Sequence, residues 1–213
     1  MTTTADRLRR IVLTGGPGAG KTAVLELVRR ALPAHVRVLP ESAGILFGGG
    51  FPRGDTPGLR RAAQRAIYYT QRELEATADD AEESLVLCDR GTVDGAAYWP
   101  GPGELWDAVG TTREAQLARY DAVIHLRTPS PEHGYNHANP LRVETAVEAA
   151  AIDERILAAW AGHPRRFVVA AAPDFFAKAR EALLRIAEFL PALHPLQPHE
   201  MVAREVQRSH RTG

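Results

Sequence analysis

The chain has 213 residues, and its 26 basic and 26 acidic side chains leave no formal net charge at pH 7. This length suits one α/β domain. The charge balance provides no overall positive field for nucleic acid. One cysteine excludes an intramolecular disulfide. No stretch approaches the length of a membrane span and the N-terminus lacks the apolar core of a signal peptide, so we expect a cytoplasmic protein.

The first predicted elements are a short apolar strand over 10–14 and a helix over 21–32. Between them the sequence Gly-Gly-Pro-Gly-Ala-Gly-Lys-Thr fits the pattern G-x-x-x-x-G-K-[ST]. Glycines allow successive N–H groups to point inward around a phosphate, while the lysine reaches the β- and γ-phosphates and the threonine hydroxyl can bind Mg²⁺. We therefore predict a phosphate-binding P-loop. Its residues are Gly15, Gly16, Gly18, Ala19, Gly20, Lys21 and Thr22.

The identity of Lys21 supports this prediction. Only two of the 26 basic residues are lysines, and one of them occupies the position where the pattern requires lysine. The broader guanidinium of arginine would not fit so narrow a loop.

The second predicted strand covers 36–40 and is followed by Glu41. A carboxylate at the end of a strand beside the P-loop could accept the proton of an attacking hydroxyl, although a solvated glutamate at the start of a loop is the alternative. A Gly/Pro-rich loop over 43–58 follows. Long loops inside a domain are usually functional.

A helix predicted over 59–82 places Gln64, Tyr68 and Gln71 on one face. Gln71 could hydrogen-bond the edge of a base or an amide, and Tyr68 or Phe47 could stack on a ring. A solvated helix face is the alternative interpretation.

The third predicted strand covers 84–88 and ends in Asp89-Arg90-Gly91. A P-loop protein needs an acidic residue at this point to hold Mg²⁺ or its water shell. The next residue, Arg90, cannot accept a proton from water, which disfavours dedicated hydrolysis.

Strands and helices continue to alternate in the second half of the chain. The remaining predictions are helices over 112–119, 143–161 and 174–190, strands over 122–126 and 167–171, and a polar loop over 127–142. This alternation predicts a parallel sheet covered on both faces. We expect His125 and Cys88 to be buried, a single domain over 1–190, and a poorly ordered tail over 191–213.

These residues together carry a resemblance to a known family. They are the P-loop, Glu41, the string Asp89-Arg90-Gly91-x-x-Asp94-Gly95-x-Ala97-Tyr98, and Arg142-x-Glu144 before a long helix. The set resembles the AAA-type P-loop domain family, which includes the nicotinamide-riboside-kinase domain of bacterial NAD regulators and translocation-defect protein 14. It is more distantly similar to deoxynucleoside kinases.

The resemblance implies a three-layer αβα sandwich with a five-stranded parallel sheet of order 2-3-1-4-5. It implies that Glu41 is the base, Asp89 the acid that holds Mg²⁺ or its water shell, Arg90 a clamp on the acceptor or phosphoryl group, and Asp94 a substrate-binding or positioning residue. Arg142 becomes the arginine of a lid over the phosphates, with Arg127 as second choice.

Two functions remain open at this stage. The first is a kinase that transfers phosphate from ATP, with Mg²⁺, to a small nucleoside-like molecule. The second is a nucleotide-dependent NTPase or switch that has no phosphoryl acceptor. The chain is too short for the lid domain of a ring motor. GTP stays an alternative to ATP, and a homodimer is an open expectation.

Overall fold

The computed structural model covers most of the chain. It describes residues 9–32, 35–79, 84–129, 145–172 and 174–190. The predicted tail over 191–213 and the candidate lid residue Arg142 lie outside these ranges. Within them, no helix is both long and apolar enough to cross a membrane.

Five parallel strands form the centre of the molecule, in the spatial order β2-β3-β1-β4-β5. Their bounds are Arg9–Thr14 for β1, Val36–Leu39 for β2, Leu85–Asp89 for β3, Ala122–Leu126 for β4 and Arg166–Val169 for β5. The three central strands are almost entirely buried, as expected where helices cover both faces of a sheet. The predicted fold class and strand order are confirmed.

Seven α-helices and one 3₁₀ helix surround the sheet in the described residues. They are α1 Lys21–Ala31, α2 Ser42–Gly48, α3 Pro57–Ala76, the 3₁₀ helix Thr92–Tyr98, α4 Leu105–Val109, α5 Arg113–Leu117, α6 Ala146–Ala159 and α7 Phe175–Ala187. Several starts follow from capping. Thr56 accepts a hydrogen bond from the Leu59 amide, and Pro57 takes the first position of α3.

Alternate residues of the strands supply two apolar layers. Ile11 and Leu13 of β1 pack in one cluster with residues of α1 and α7. Val12 packs in the other with residues of α3, α4, α6 and the 3₁₀ helix. Cys88 and His125 are fully buried, as the sequence predicts.

The structure differs from the sequence prediction between the strands. The segment predicted as a loop over 43–58 begins with α2, although glycine and proline dominate its composition. The helix predicted over 112–119 is shorter in the structure and corresponds to α5. A further short helix, α4, comes before it and ends at Gly110, which has a φ of 68°. Short helices carry too few residues to show a clear apolar period.

Candidate functional site

The P-loop connects the end of β1 to the start of α1 and requires its glycines for two reasons. Gly18 and Gly20 have φ values of 77° and 92°, in the left-handed region that favours glycine. Gly15 has φ 137°, and a Cβ there would lie 2.1 Å from the carbonyl oxygen of Leu126. The loop therefore has the backbone form that an inward-facing row of N–H groups needs.

Lys21 begins α1 and lies against the loop. Its Nζ donates to the carbonyl oxygens of Gly15 and Gly16, at 2.9 and 3.2 Å. Burial, reinforced by repulsion from Arg90, lowers the pKa of Lys21 to about 8. An ammonium held in this way gains free energy from a phosphate that replaces its lost hydration.

Asp89 ends β3 beside the P-loop. Its Oδ1 is buried and has no hydrogen-bond partner among the described residues. Burial raises the pKa of Asp89 to about 6, although Lys21 opposes that shift. An unpartnered carboxylate oxygen next to a phosphate-binding loop suits a hydrated or directly bound Mg²⁺.

Glu41 and Arg90 form an ion pair across the ends of β2 and β3. The Nε of Arg90 donates to Glu41 Oε1 at 2.6 Å. Arg90 has a φ of 69°, which is unusual for a residue other than glycine and aims its side chain toward β2. Burial opposes ionisation of Glu41, but Arg90 and Lys21 outweigh it and hold the pKa of Glu41 below its usual value. Glu41 is therefore ionised at neutral pH.

Asp94 lies in the 3₁₀ helix and is buried under four hydrogen-bond donors. It accepts from the Thr14 hydroxyl, from the Gly91 amide at 2.9 Å and from Trp160 Nε1 at 3.2 Å. It also accepts from Arg90 Nη1 at 3.2 Å. This environment makes Asp94 a support that orients Arg90, and its predicted contact with substrate remains untested.

A cavity of about 410 Å³ extends from Glu41, Arg90 and Asp94 to the P-loop. Its walls come from the P-loop, the start of α2, α3 and the 3₁₀ helix. The charged and polar lining residues are Thr22, Glu41, Ser42, Arg53, Gln64, Gln71, Arg90, Asp94 and Tyr98. The cavity therefore places the Glu41–Arg90 pair and the predicted phosphate site along one space.

The face of α3 that the sequence predicts to bind substrate contributes partly to the cavity wall and partly to the apolar core. Gln71 is buried, accepts from the Ser42 hydroxyl at 2.6 Å and donates to Glu75 at 3.0 Å. Tyr68 packs in the apolar core, whereas Gln64 and Phe47 line the cavity. Gln71 thus fixes α2 against α3, and Gln64 is the glutamine without a described hydrogen-bond partner.

Two charged residues that hold the P-loop were not predicted from the sequence. Asp153 of α6 accepts from the Gly16 amide at 2.8 Å and from His125 at 2.9 Å. Lys178 of α7 is buried and donates to the carbonyl oxygens of Ala19, at 2.8 Å, and Arg127, at 2.5 Å. The rarity of lysine in this chain was a signal that could have identified Lys178.

Arg127, the second choice for a lid arginine, is held by two carboxylates of α6. Its Nε lies 3.0 Å from Asp153 Oδ2, and its Nη2 donates to Glu154. In this position it joins the end of β4 to α6. The first choice, Arg142, falls outside the described residues.

The P-loop, the Asp89 carboxylate and the five-stranded sheet define the class of P-loop nucleotide-binding α/β proteins. A family model described as an AAA domain matches residues 10–178. The chain belongs to this AAA domain family. No curated protein matches it significantly.

Solved structures show the same fold. Deoxyadenosine kinase from M. mycoides with bound dATP has 13% sequence identity and a TM-score of 0.56, over 84% of this chain and 98% of that chain. The deoxyadenosine kinase from M. mycoides with the products dCMP and a flexible dCDP has 12% identity and a TM-score of 0.57, over 84% and 99%. The chain therefore shares the fold of these two structures.

Proposed function

We propose that this protein is a kinase that transfers the γ-phosphate of ATP to a hydroxyl of a small nucleoside-like molecule. One observation carries the proposal: Glu41 and Arg90 line an open cavity that continues from Thr22 of the P-loop. A protein that only binds or hydrolyses a nucleotide does not need a second cavity, large enough for a small molecule, beside a carboxylate paired with a guanidinium. A volume of about 410 Å³ suits a ligand of nucleoside size.

The proposed reaction uses Glu41 as the base. The acceptor hydroxyl loses its proton to the Glu41 carboxylate, its oxygen forms a bond to the γ-phosphorus, and the bond from that phosphorus to the β-phosphate oxygen breaks to release ADP. Arg90 orients Glu41 and places positive charge beside the transferring group. The ionised state of Glu41 means that the base is ready at neutral pH.

The residues also suit the metal that such a reaction uses. The Thr22 hydroxyl and the Asp89 carboxylate would hold Mg²⁺, which supplies charge neutralisation between the β- and γ-phosphates when bound. Lys21 and the loop amides would bind the same phosphates. GTP remains an alternative donor, and a cytoplasmic location and a homodimer remain predictions from the sequence.

The substitution Glu41→Gln tests the proposal. With Mg²⁺, ATP and a panel of nucleosides and sugar alcohols, we expect the wild-type protein to form ADP in proportion to a phosphorylated acceptor. Because Gln cannot take the proton, Glu41→Gln should lower kcat by about 10²–10⁴-fold with ATP affinity unchanged. The exposed Glu73→Gln change on α3 is the control, since Glu73 has no described side-chain contact.

Two results would count against the kinase. Acceptor-independent ATP hydrolysis that is unaffected by Glu41→Gln would instead support a nucleotide-dependent switch. ATP binding without any acceptor-dependent product across the panel would reject the proposed transfer.

A further inference from the structure

Arg53 is an exposed arginine in the segment between α2 and α3, and it lines the proposed acceptor cavity. Its guanidinium carbon lies 4.3 Å from the centre of the Phe47 ring. Stacking of this kind fixes the plane of a guanidinium and leaves its N–H donors at the edges available. Arg53 is therefore a positioned cation.

The other cations around the cavity have partners. Arg90 binds the carboxylates of Glu41 and Asp94, and Lys21 donates to carbonyl oxygens of the P-loop. Within the ranges that the structure describes, no carboxylate forms an ion pair with Arg53. Among the described residues that line the cavity, Arg53 is thus a guanidinium that no carboxylate pairs.

Arg53 also lies within electrostatic reach of the proposed base. Burial disfavours the charged form of Glu41, and Arg90, Lys21 and then Arg53 act in the opposite direction and lower the pKa of Glu41. Glu41 and Arg53 also line the same cavity, so a ligand that fills it can extend from one to the other.

We propose that the acceptor is an organic anion, with a hydroxyl at Glu41 and a carboxylate or phosphate group bound by Arg53. A planar guanidinium matches both groups through two parallel hydrogen bonds, and the lining Gln64 and Tyr98 add polar groups for a ring substituent. This inference rests on the proposed function, and it names the substrate class. A neutral nucleoside would leave the Arg53 charge unmatched.

Matched pairs of ribosides test the inference. Uridine and orotidine differ by one ring carboxylate, and cytidine and cytidine 3′-monophosphate differ by one phosphate, while all four keep a free 5′-hydroxyl. Their affinities are measured by calorimetry on the 213-residue chain saturated with Mg²⁺ and a non-hydrolysable ATP analogue. Phosphoryl transfer to each riboside is measured separately with Mg·ATP.

We expect wild-type protein to bind the anionic member of at least one pair about tenfold more tightly than the neutral member, because charge-assisted hydrogen bonds exceed neutral ones. Preference for orotidine would identify a carboxylate site, and preference for the 3′-monophosphate would identify a phosphate site. Arg53→Gln should reduce the ratio to below about twofold, mainly through weaker binding of the anionic member. Arg60→Gln, an exposed change on α3 away from the cavity lining, is the control and should keep the ratio.

Three outcomes would overturn the inference. Equal affinity for both members of each pair would reject an anion site, and so would a preference that Arg53→Gln leaves intact. An equal decrease of the affinities for neutral and anionic ligands in Arg53→Gln would show that Arg53 only shapes the cavity. If one of these three outcomes is found but neutral ribosides are phosphorylated, the anion inference fails and the kinase proposal stands. If no riboside of either kind binds or reacts, both proposals fail.

Discussion

At the scale of single residues, Asp89 and Asp94 are two carboxylates of one site with opposite surroundings. Asp89 has a buried oxygen without a described hydrogen-bond partner, whereas Asp94 accepts hydrogen bonds from four donors. Burial of an unpaired carboxylate costs free energy, while a fully hydrogen-bonded one stabilises its neighbours. Asp89 is therefore suited to bind a ligand that the chain does not supply, whereas Asp94 is suited to hold its neighbours in position.

The same substitution should therefore have opposite effects on stability at these two positions. The pKa of Asp89 is raised to about 6 by burial, so above pH 6 the folded state bears a cost that the unfolded state does not. We expect Asp89→Asn at pH 7.5 to increase the free energy of unfolding of the nucleotide-free protein by about 1 kcal/mol and Tm by roughly 2–4 °C.

Thermal unfolding followed by circular dichroism measures this effect. Asp94→Asn is the matched comparison and should lower Tm, because an amide nitrogen replaces an oxygen that accepts two or more of the donors. Despite its higher Tm, Asp89→Asn should lose ATP turnover that depends on Mg²⁺. A lower Tm for Asp89→Asn would show that its carboxylate is structural.

The predicted site residues that the structure brings together lie at the ends of strands. Lys21, Glu41, Asp89 and Arg90 each lie at or beyond the end of a strand of a parallel sheet, and the carboxyl ends of such strands meet at one edge. Their proximity follows from topology alone. Asp153 and Lys178 lie within helices. Apart from the rarity of lysine in this chain, nothing in the helix sequences distinguishes a residue that contacts the P-loop from one in solvent. Only the packing of α6 and α7 assigns their partners.

At the scale of elements, α6 and α7 hold the P-loop from outside the sheet. Asp153 of α6 accepts from the Gly16 amide, and Lys178 of α7 donates to the Ala19 carbonyl. The helices thus fix one donor and one acceptor of the loop backbone. Preorganisation of this kind reduces the conformational entropy that is lost when phosphate binds.

Replacement of Asp153 tests this contribution. Asp153→Ala removes the acceptor for the Gly16 amide and should weaken ATP binding by about tenfold, which corresponds to roughly 1.4 kcal/mol. Asp153→Asn keeps a carbonyl oxygen and should retain most of the affinity. Calorimetry with Mg·ATP measures both variants, and a circular dichroism spectrum establishes that each is folded. Equal affinity of the Ala and Asn variants with wild type would exclude a role in positioning the loop.

The acceptor side of the site was harder to predict because its elements are short. The start of α2 and the 3₁₀ helix form cavity walls. The glycines of α2 and the lack of a helical period in the 3₁₀ helix obscure both elements in the sequence. Ser42 of α2 is fixed by Gln71 of α3, a contact between residues 29 positions apart. Sequence placed Gln71 on the correct helix face but could not distinguish a hydrogen bond to the protein from one to a ligand.

At the scale of the whole molecule, buried charges of opposite sign set the pH range of the site. Burial raises the pKa of Asp89 to about 6 and lowers the pKa of Lys21 to about 8. As pH falls through 6, Asp89 gains a proton and loses the charge that attracts a cation. As pH rises through 8, Lys21 loses the proton that gives it charge for phosphate.

We therefore expect a bell-shaped dependence of kcat/KM for Mg·ATP, with limbs near pH 6 and pH 8, because this quantity reports groups of the enzyme before the nucleotide binds. Steady-state assays from pH 5 to 9.5 at saturating acceptor measure it, with circular dichroism at each pH as the control for unfolding. A flat profile over this range would show that neither group titrates during nucleotide capture.

The two lysines of the chain also determine its chemical reactivity. All other basic side chains except histidine are arginines, and the two lysines both donate hydrogen bonds to backbone carbonyls of the P-loop. Reagents that acylate side-chain amines therefore meet only the buried Lys178 and the partly exposed Lys21 at the P-loop. Acetylation of a lysine in this chain therefore requires a reagent or enzyme that enters the phosphate-binding loop. A bound nucleotide would protect both lysines.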